Sequence, residues 1–134
     1  LVASIGDNRI VLLGNVPNAL VAWILSKSEY FVLPSLYDQA PKALWEALSA
    51  GCICIVSAQV GVVEEGVTGF LCDPTPDGIR VALERARNDP RRPTIAQEAR
   101  NFVKASLSLC GERMDSCPTG ARAGTISLGR LGQD

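Results

Sequence analysis

The sequence predicts an α/β fold, a doubly wound parallel sheet of the Rossmann type. Short apolar runs rich in β-branched residues recur along the first half of the chain, as buried strands require. Segments whose apolar residues recur at helical spacing lie between them. A strand and helix alternation of this kind is typical of a parallel sheet with right-handed crossovers.

Four segments are predicted to be strands. Each is short and apolar, and Gly, Pro or polar residues bound it. In chain order they are RIVLLG at 9–14, YFVLP at 30–34, CICIVS at 52–57 and the stretch 69–72. The run at 52–57 is almost wholly apolar, which indicates a strand covered on both faces of the sheet.

Four helices are predicted between and after these strands, at residues 19–28, 41–50, 77–88 and 94–108. In the first, Leu20, Trp23 and Ile24 keep helical spacing. Trp23 and Trp45 are predicted to be core or interface anchors. Gly51 follows the second helix, where a left-handed glycine cap is common.

Composition and charge restrict the function. The 134 residues suit about one domain, and 13 basic against 14 acidic residues give no electrostatic basis for binding nucleic acid or an anionic membrane. The absence of histidine excludes imidazole acid and base catalysis, so carboxylates would have to do such work. No apolar stretch is long enough to span a bilayer, and we expect a soluble, cytoplasmic protein.

Five cysteines are present, and none forms a C-x-x-C pair, which favours reduced thiols over a disulfide framework. Cys52 and Cys54 alternate along one predicted strand and should lie on the same face as small buried hydrophobic residues. We expect one Rossmann-like domain over residues 1–109. The remaining residues, 110–134, are rich in Gly, Ser, Thr and Arg and are predicted to form a tail of low order.

The stretch PSLYDQAPKALWEALSAG, residues 34–51, places two acids on a loop and the helix after it. In an open parallel sheet, ligands bind at the carboxyl ends of the strands, where helix N-termini offer free N–H groups to a phosphate. Glu46 would then reach the hydroxyls of a ribose, and Asp38 would touch a sugar beyond the phosphates. Spacing alone favours an alternative in which neither acid binds a ligand. Asp38 is then a turn residue, and Lys42 and Glu46 form a solvated pair.

From residue 8 to 86 the sequence resembles the C-terminal, donor-binding Rossmann half of retaining group-1 glycosyltransferases with the two-domain fold. The segments that carry the resemblance are NRIVLLGNVPNALVAWILSKSEYFVLPSLYDQAPKALWEALSAG, CICIVS and EEGVTGFLCDP. In that family a Glu, seven residues and a second Glu follow a Pro-Ser pair, and Asp38 and Glu46 stand in register with these two acids.

The resemblance implies a role for each site residue. Glu46 would bind the nucleotide ribose and Asp38 would lie beside the donor hexose, while the loop and helix start would face the diphosphate. The residues of that loop and helix start are Gln39, Ala40, Pro41 and Lys42. The implied reaction transfers a glycosyl group, with retention, from a nucleotide-diphosphate sugar to an acceptor hydroxyl. No metal or other cofactor is expected.

The family's first donor-domain strand and its acceptor-binding N-terminal domain would precede the sequence given. We therefore expect a fragment that is inactive alone, with an unknown acceptor and with the other domain supplied elsewhere. The alternative is a noncatalytic Rossmann-type interaction protein that has lost its ligand site. The Asp at position 38, the short loop SAQVGVVEEG and the atypical C-terminal residues favour it.

Overall fold

The computed structural model describes residues 7–37 and 41–112 of the chain, with side chains described as far as residue 109. It is an α/β structure of three strands and four helices. The strands are β1 (Tyr30–Leu33), β2 (Ile53–Ser57) and β3 (Gly69–Cys72), and the helices are α1 (Asn18–Lys27), α2 (Lys42–Ala50), α3 (Pro76–Asn88) and α4 (Arg92–Glu112). This confirms the predicted fold class.

The three strands form a parallel sheet in the order β1-β2-β3. The central strand β2 is buried along its whole length, as its apolar sequence predicted. The helix that connects β1 to β2, α2, ends at Gly51, which has a left-handed φ of 85° and closes the helix by donating to the carbonyls of Ala47 and Leu48. The predicted cap is therefore confirmed.

Both faces of the sheet carry a hydrophobic core. On one face, residues of α1, α2 and α4 pack against Cys52, Cys54 and Val56. On the other face, residues of α3 and the start of α4 pack against Ile53 and Ile55. Cys52 and Cys54 are buried and free, which confirms their prediction as small core residues.

The prediction of a buried strand at residues 9–14 is wrong. This segment is not a strand, and its four large apolar side chains, Ile10, Val11, Leu12 and Leu13, are exposed. In the Rossmann order 3-2-1-4-5-6, the strand that precedes strand 4 along the chain is separated from it by two other strands. With β1, β2 and β3 in positions 4, 5 and 6, the segment has no neighbouring strand in the described part of the chain.

The residues at helical spacing in the first helix do not coincide with the buried side of α1. Leu25 is buried and Val21 packs against the same cluster, whereas Leu20 and Trp23 are exposed by 40% and 60%. The sequence NALVAWILSK is apolar on nearly every side, so spacing alone does not define which side faces the core. Trp23 is therefore not a core residue, while Trp45 stacks on Phe102 with ring centroids 5.7 Å apart.

The last helix is longer than predicted, since α4 extends from Arg92 to Glu112. The predicted tail of residues 110–134 lies outside the described residues except for its first three, which end α4. Within the described segments, no helix is both long enough and apolar enough to cross a bilayer.

Candidate functional site

The carboxyl ends of β1 and β2 are held together by one side chain. Ser57, the last residue of β2, is fully buried, and its Oγ donates a hydrogen bond to the backbone carbonyl of Ser35, just after β1. This bond fixes the chain that leaves β1 relative to the neighbouring strand. The loop into α2 therefore starts from a defined position at the edge where parallel sheets bind ligands.

No described residue caps the N-terminus of α2. Pro41 precedes the helix with extended backbone and has no side-chain acceptor that could cap it. The N–H of Leu44 bonds to the Pro41 carbonyl at 3.0 Å, and no described residue accepts from the N–H groups of Lys42 and Ala43. The first turn also contains no carboxylate. The positive end of the helix dipole and the Lys42 ammonium therefore lie together, and no carboxylate of the first turn neutralises them.

Glu46 lies one turn further along α2, and its Oε1 is 3.5 Å from Lys42 Nζ. The two residues line a groove of about 410 Å³ between α1, α2 and α4. The other lining residues are Ala22, Leu25, Trp45, Ser49, Ala50, Val103 and Leu107. The Glu46 carboxylate thus stands at the polar border of an otherwise mainly apolar groove, with 36% of its side chain exposed.

A second groove, of about 510 Å³, lies at the carboxyl end of β3, and the sequence analysis missed it. Its wall includes the start of α3, where Thr75 Oγ1 accepts a 3.0 Å hydrogen bond from the N–H of Gly78 and Asp77 occupies the first turn. The run DPTPDG, with a Thr before Pro and an acid, is the sequence signal for such a cap. Since this helix start is already capped and carries carboxylates, an anion is better accommodated at α2.

The structure therefore brings together part of the predicted site. Pro41, Lys42 and Glu46 occupy the start and second turn of α2, and Lys42 and Glu46 are in contact. The other predicted site residues, Asp38, Gln39 and Ala40, lie outside the described residues. Among residues 7–37 and 41–109, no three His, Cys, Asp or Glu side chains are grouped closely enough to hold a metal ion.

The three cysteine thiols of the described core are poorly suited to act as nucleophiles. Burial raises the pKa of Cys54 far above its ordinary value and raises those of Cys52 and Cys72 in the same direction. Since the thiolate is the reactive form, burial disfavours a nucleophilic role for these three cysteines.

Fold and site together define a Rossmann-like half domain in which no described residue caps the start of α2, near the carboxyl edge of the sheet. Residues 1–89 match the family described as "Glycosyl transferases group 1", and the chain belongs to this family. It is also similar to UDP-Gal:alpha-D-GlcNAc-diphosphoundecaprenol alpha-1,3-galactosyltransferase of Escherichia coli, with 37% identity over 108 residues. The similarity covers 75% of this chain and 27% of that relative, so the chain spans about a quarter of the relative's length.

Proposed function

We propose that this chain is the donor-binding part of a glycosyltransferase that transfers a glycosyl group, with retention, from a nucleotide-diphosphate sugar to an acceptor hydroxyl. The observation that carries the proposal is the start of α2, which combines N–H groups that no described residue accepts from, the Lys42 ammonium and no carboxylate in the first turn. Membership of the group-1 family supports it. The relative's name includes UDP-Gal, which makes UDP the first nucleotide to test.

In the proposed site, each residue has a distinct role. The N–H groups of α2 and the Lys42 ammonium hold the diphosphate, because a helix N-terminus and a cation both stabilise negative charge. Glu46, one turn further on, accepts hydrogen bonds from the two ribose hydroxyls. As the resemblance implies, Asp38 would act on the hexose side of the donor, and Gln39, Ala40 and Pro41 would contribute to binding the diphosphate.

The proposed reaction requires positive and negative charge to separate within the site. When the bond from the anomeric carbon to the diphosphate oxygen breaks, the diphosphate takes the electron pair and the sugar becomes an oxocarbenium-like cation. Positive groups placed where negative charge develops lower the barrier to that step. The α2 dipole and Lys42 would act on the leaving diphosphate, and the Asp38 carboxylate on the sugar cation. No metal or other cofactor is part of the proposed site.

We further propose that this chain binds a donor but does not turn it over alone. Because the chain spans about a quarter of its relative, the acceptor would be bound by a domain that is not among the described residues. A reproducible transfer or hydrolysis of a nucleotide sugar by the 134-residue chain, abolished by Glu46→Gln, would contradict this part of the proposal.

One observation favours a second candidate function. Glu46 has a partner in Lys42 and lies beside a mainly apolar groove, as expected for a noncatalytic interaction protein that keeps the fold without the ligand. A melting panel with UDP, GDP, ADP and dTDP separates the two candidates. A nucleotide present at a hundred times its Kd adds about 2.7 kcal/mol to the unfolding free energy, which raises the Tm by several degrees. Cooperative melting with no shift for any of the four supports the interaction protein.

A further inference from the structure

Ser57, at the end of β2, is fully buried although its side chain is polar. In the part of the chain that the structure describes, Thr68 is the other buried polar residue. Thr68 Oγ1 accepts a 2.9 Å hydrogen bond from the N–H of Glu64 and so closes its own turn. Ser57 Oγ instead donates to the backbone carbonyl of Ser35, 22 positions earlier. The Ser57 hydroxyl therefore joins two segments that are distant in the sequence.

The position of Ser57 would also allow a local hydrogen bond. Ser57 is the N-cap residue of a short 3-10 helix, Ala58–Val60. A serine at an N-cap commonly accepts from a backbone N–H of the first turn, but the Ser57 side chain makes no such bond. The hydroxyl holds the neighbouring chain and does not cap the helix that follows it.

The bond from Ser57 lies just beyond the backbone ladder between β1 and β2. Leu33 and Val56 are the last paired residues of these two strands. The next residue after β1, Pro34, has no N–H and cannot extend the ladder as a donor. The Ser57 hydroxyl therefore continues the connection between the strands at their carboxyl ends, where parallel sheets bind ligands.

The segment that follows Ser57 is anchored in the core. Val60 and Val63 are buried in the same hydrophobic cluster as Leu44 of α2. The chain after β2 is thus held by the cluster that also holds α2. Because the hydroxyl of Ser57 attaches Ser35 to this anchored chain, the segments that leave β1 and β2 keep a fixed spacing.

We propose that Ser57 is a positioning residue for the binding of a nucleoside diphosphate. Its hydroxyl holds the backbone at Ser35 where the chain leaves β1 for the start of α2. This inference rests on the proposed function, because the ligand is the diphosphate assigned to that helix start. Ser57 is fully buried and acts through the backbone of Ser35, without touching the ligand. Without the bond, the chain between β1 and α2 samples more positions, and binding has to order it.

The test compares nucleotide affinity with stability in variants of the 134-residue chain. Isothermal titration calorimetry with UDP, GDP, ADP and dTDP measures Kd, and the Tm of each protein is measured without ligand. Ser57→Ala removes the hydroxyl and adds no volume. We expect the Kd of the nucleotide that binds to rise about five- to tenfold, as when the competent position is populated about 10 to 20% of the time. The ligand-free variant should still melt cooperatively.

Ser57→Thr and Ser57→Val form a matched pair. Their side chains have nearly the same shape, so strain from the added bulk at this buried position is common to both, and they differ in the hydroxyl. A positioning role predicts that the Thr variant binds the nucleotide at least about fivefold more tightly than the Val variant. A merely structural role would lower the Tm and leave the Kd alike in all folded variants, which would overturn the inference.

The outcomes distinguish this inference from the proposed function. If the unsubstituted chain binds none of the four nucleotides, the donor site fails and the inference fails with it. If the unsubstituted chain binds one and Ser57→Ala binds it equally well, only the inference is overturned.

If the Thr and Val variants do not fold, Ser57→Ala decides together with amide hydrogen exchange. The amide of Ile55, in the middle of β2, should stay as protected as in the unsubstituted chain while the Kd rises. A rise in Kd accompanied by loss of this protection would indicate a general loosening of the sheet and would refute the positioning role.

Discussion

Lys42 and Glu46 face each other across one turn of α2, with 3.5 Å between Nζ and Oε1. Exposed pairs of this kind stabilise a helix by only about 0.3 to 0.5 kcal/mol. Glu46 can therefore be changed with little effect on folding. The functional importance of its carboxylate is then measurable separately from stability.

The first prediction concerns Glu46→Gln, which keeps the shape of the side chain and removes its charge. We expect the unfolding free energy to fall by no more than about 0.5 kcal/mol, since only the exposed pair is lost. The melting shift given by UDP, or by whichever nucleotide binds, should fall sharply, because the amide is a weaker acceptor for ribose hydroxyls than a carboxylate. Isothermal titration calorimetry on both proteins measures the change in Kd.

Glu84→Gln is the matched control for this experiment. Glu84 lies on α3 and forms the same type of pair, with its Oε1 3.1 Å from Arg80 Nη1. Its substitution should leave nucleotide affinity unchanged. Equal loss of affinity in both variants would mean that general charge, and not a ribose contact by Glu46, governs binding.

The second prediction is a fall in stability at alkaline pH. Burial raises the pKa of the Cys54 thiol, so in the folded state it stays protonated while an unfolded thiol ionises above about pH 8.5. The native state then holds more protons, and the unfolding free energy decreases as pH rises, by up to about 1.4 kcal/mol per pH unit per thiol. Urea titrations between pH 7 and 9.5 measure the slope, which should be smaller in Cys54→Ala. The same slope in that variant would exclude Cys54 as a source.

The third prediction concerns the outer edge of β3, where Glu65 Oε2 accepts a 2.5 Å hydrogen bond from the N–H of Leu71 and Glu65 Oε1 accepts one of 2.6 Å from Arg85 Nη1. Glu65→Ala removes the acceptor of the Leu71 N–H and frees Arg85, so the unfolding free energy should fall by about 1 to 2 kcal/mol. An opened edge offers unpaired backbone groups to another strand, so light scattering should detect association of Glu65→Ala. Glu84→Ala, which breaks an exposed helical pair, should cost at most about 0.5 kcal/mol and leave the mass unchanged. Unaltered stability and mass in Glu65→Ala would contradict the role given to this edge.

Sequence reasoning succeeded where the chemistry of a segment decides its structure locally. Gly51 was predicted to end α2, and it has the left-handed backbone that this cap needs. The run at residues 52–57 was predicted to be covered on both faces, and Ile53 to Ser57 are all buried. The start of α2 was predicted from Pro41, and the structure places the helix from Lys42.

Sequence reasoning failed where the structure of a segment depends on elements that are distant in the sequence. Residues 9–14 have the apolar pattern of a strand, but a strand also needs a neighbour, and the pattern does not report whether one is present. Leu20 and Leu25 are equally apolar, so spacing did not identify Leu25 as the buried residue. At the site, the contact between Lys42 and Glu46 followed from helical spacing. The groove beside β3 did not, because Ala58, the end of β3 and the start of α3 form it jointly.

The last prediction concerns Gly69, at the start of β3. A Cβ built there would lie 2.5 Å from the backbone carbonyl oxygen of Cys54 and 2.8 Å from Val63 Cγ1. Since Cys54 belongs to the fully buried β2, the backbone cannot move aside without disturbing the sheet, and we expect Gly69→Ala to cost about 1 to 3 kcal/mol.

Gly61 has a φ of +68° but no heavy atom within 4 Å of such a Cβ, so Gly61→Ala meets only backbone strain of about 1 to 2 kcal/mol. Urea unfolding of both variants, with hydrogen exchange of the β2 amides, separates the two effects. Faster exchange in β2 should appear in Gly69→Ala alone, and its absence there would show that β2 and β3 are packed less tightly than the structure indicates.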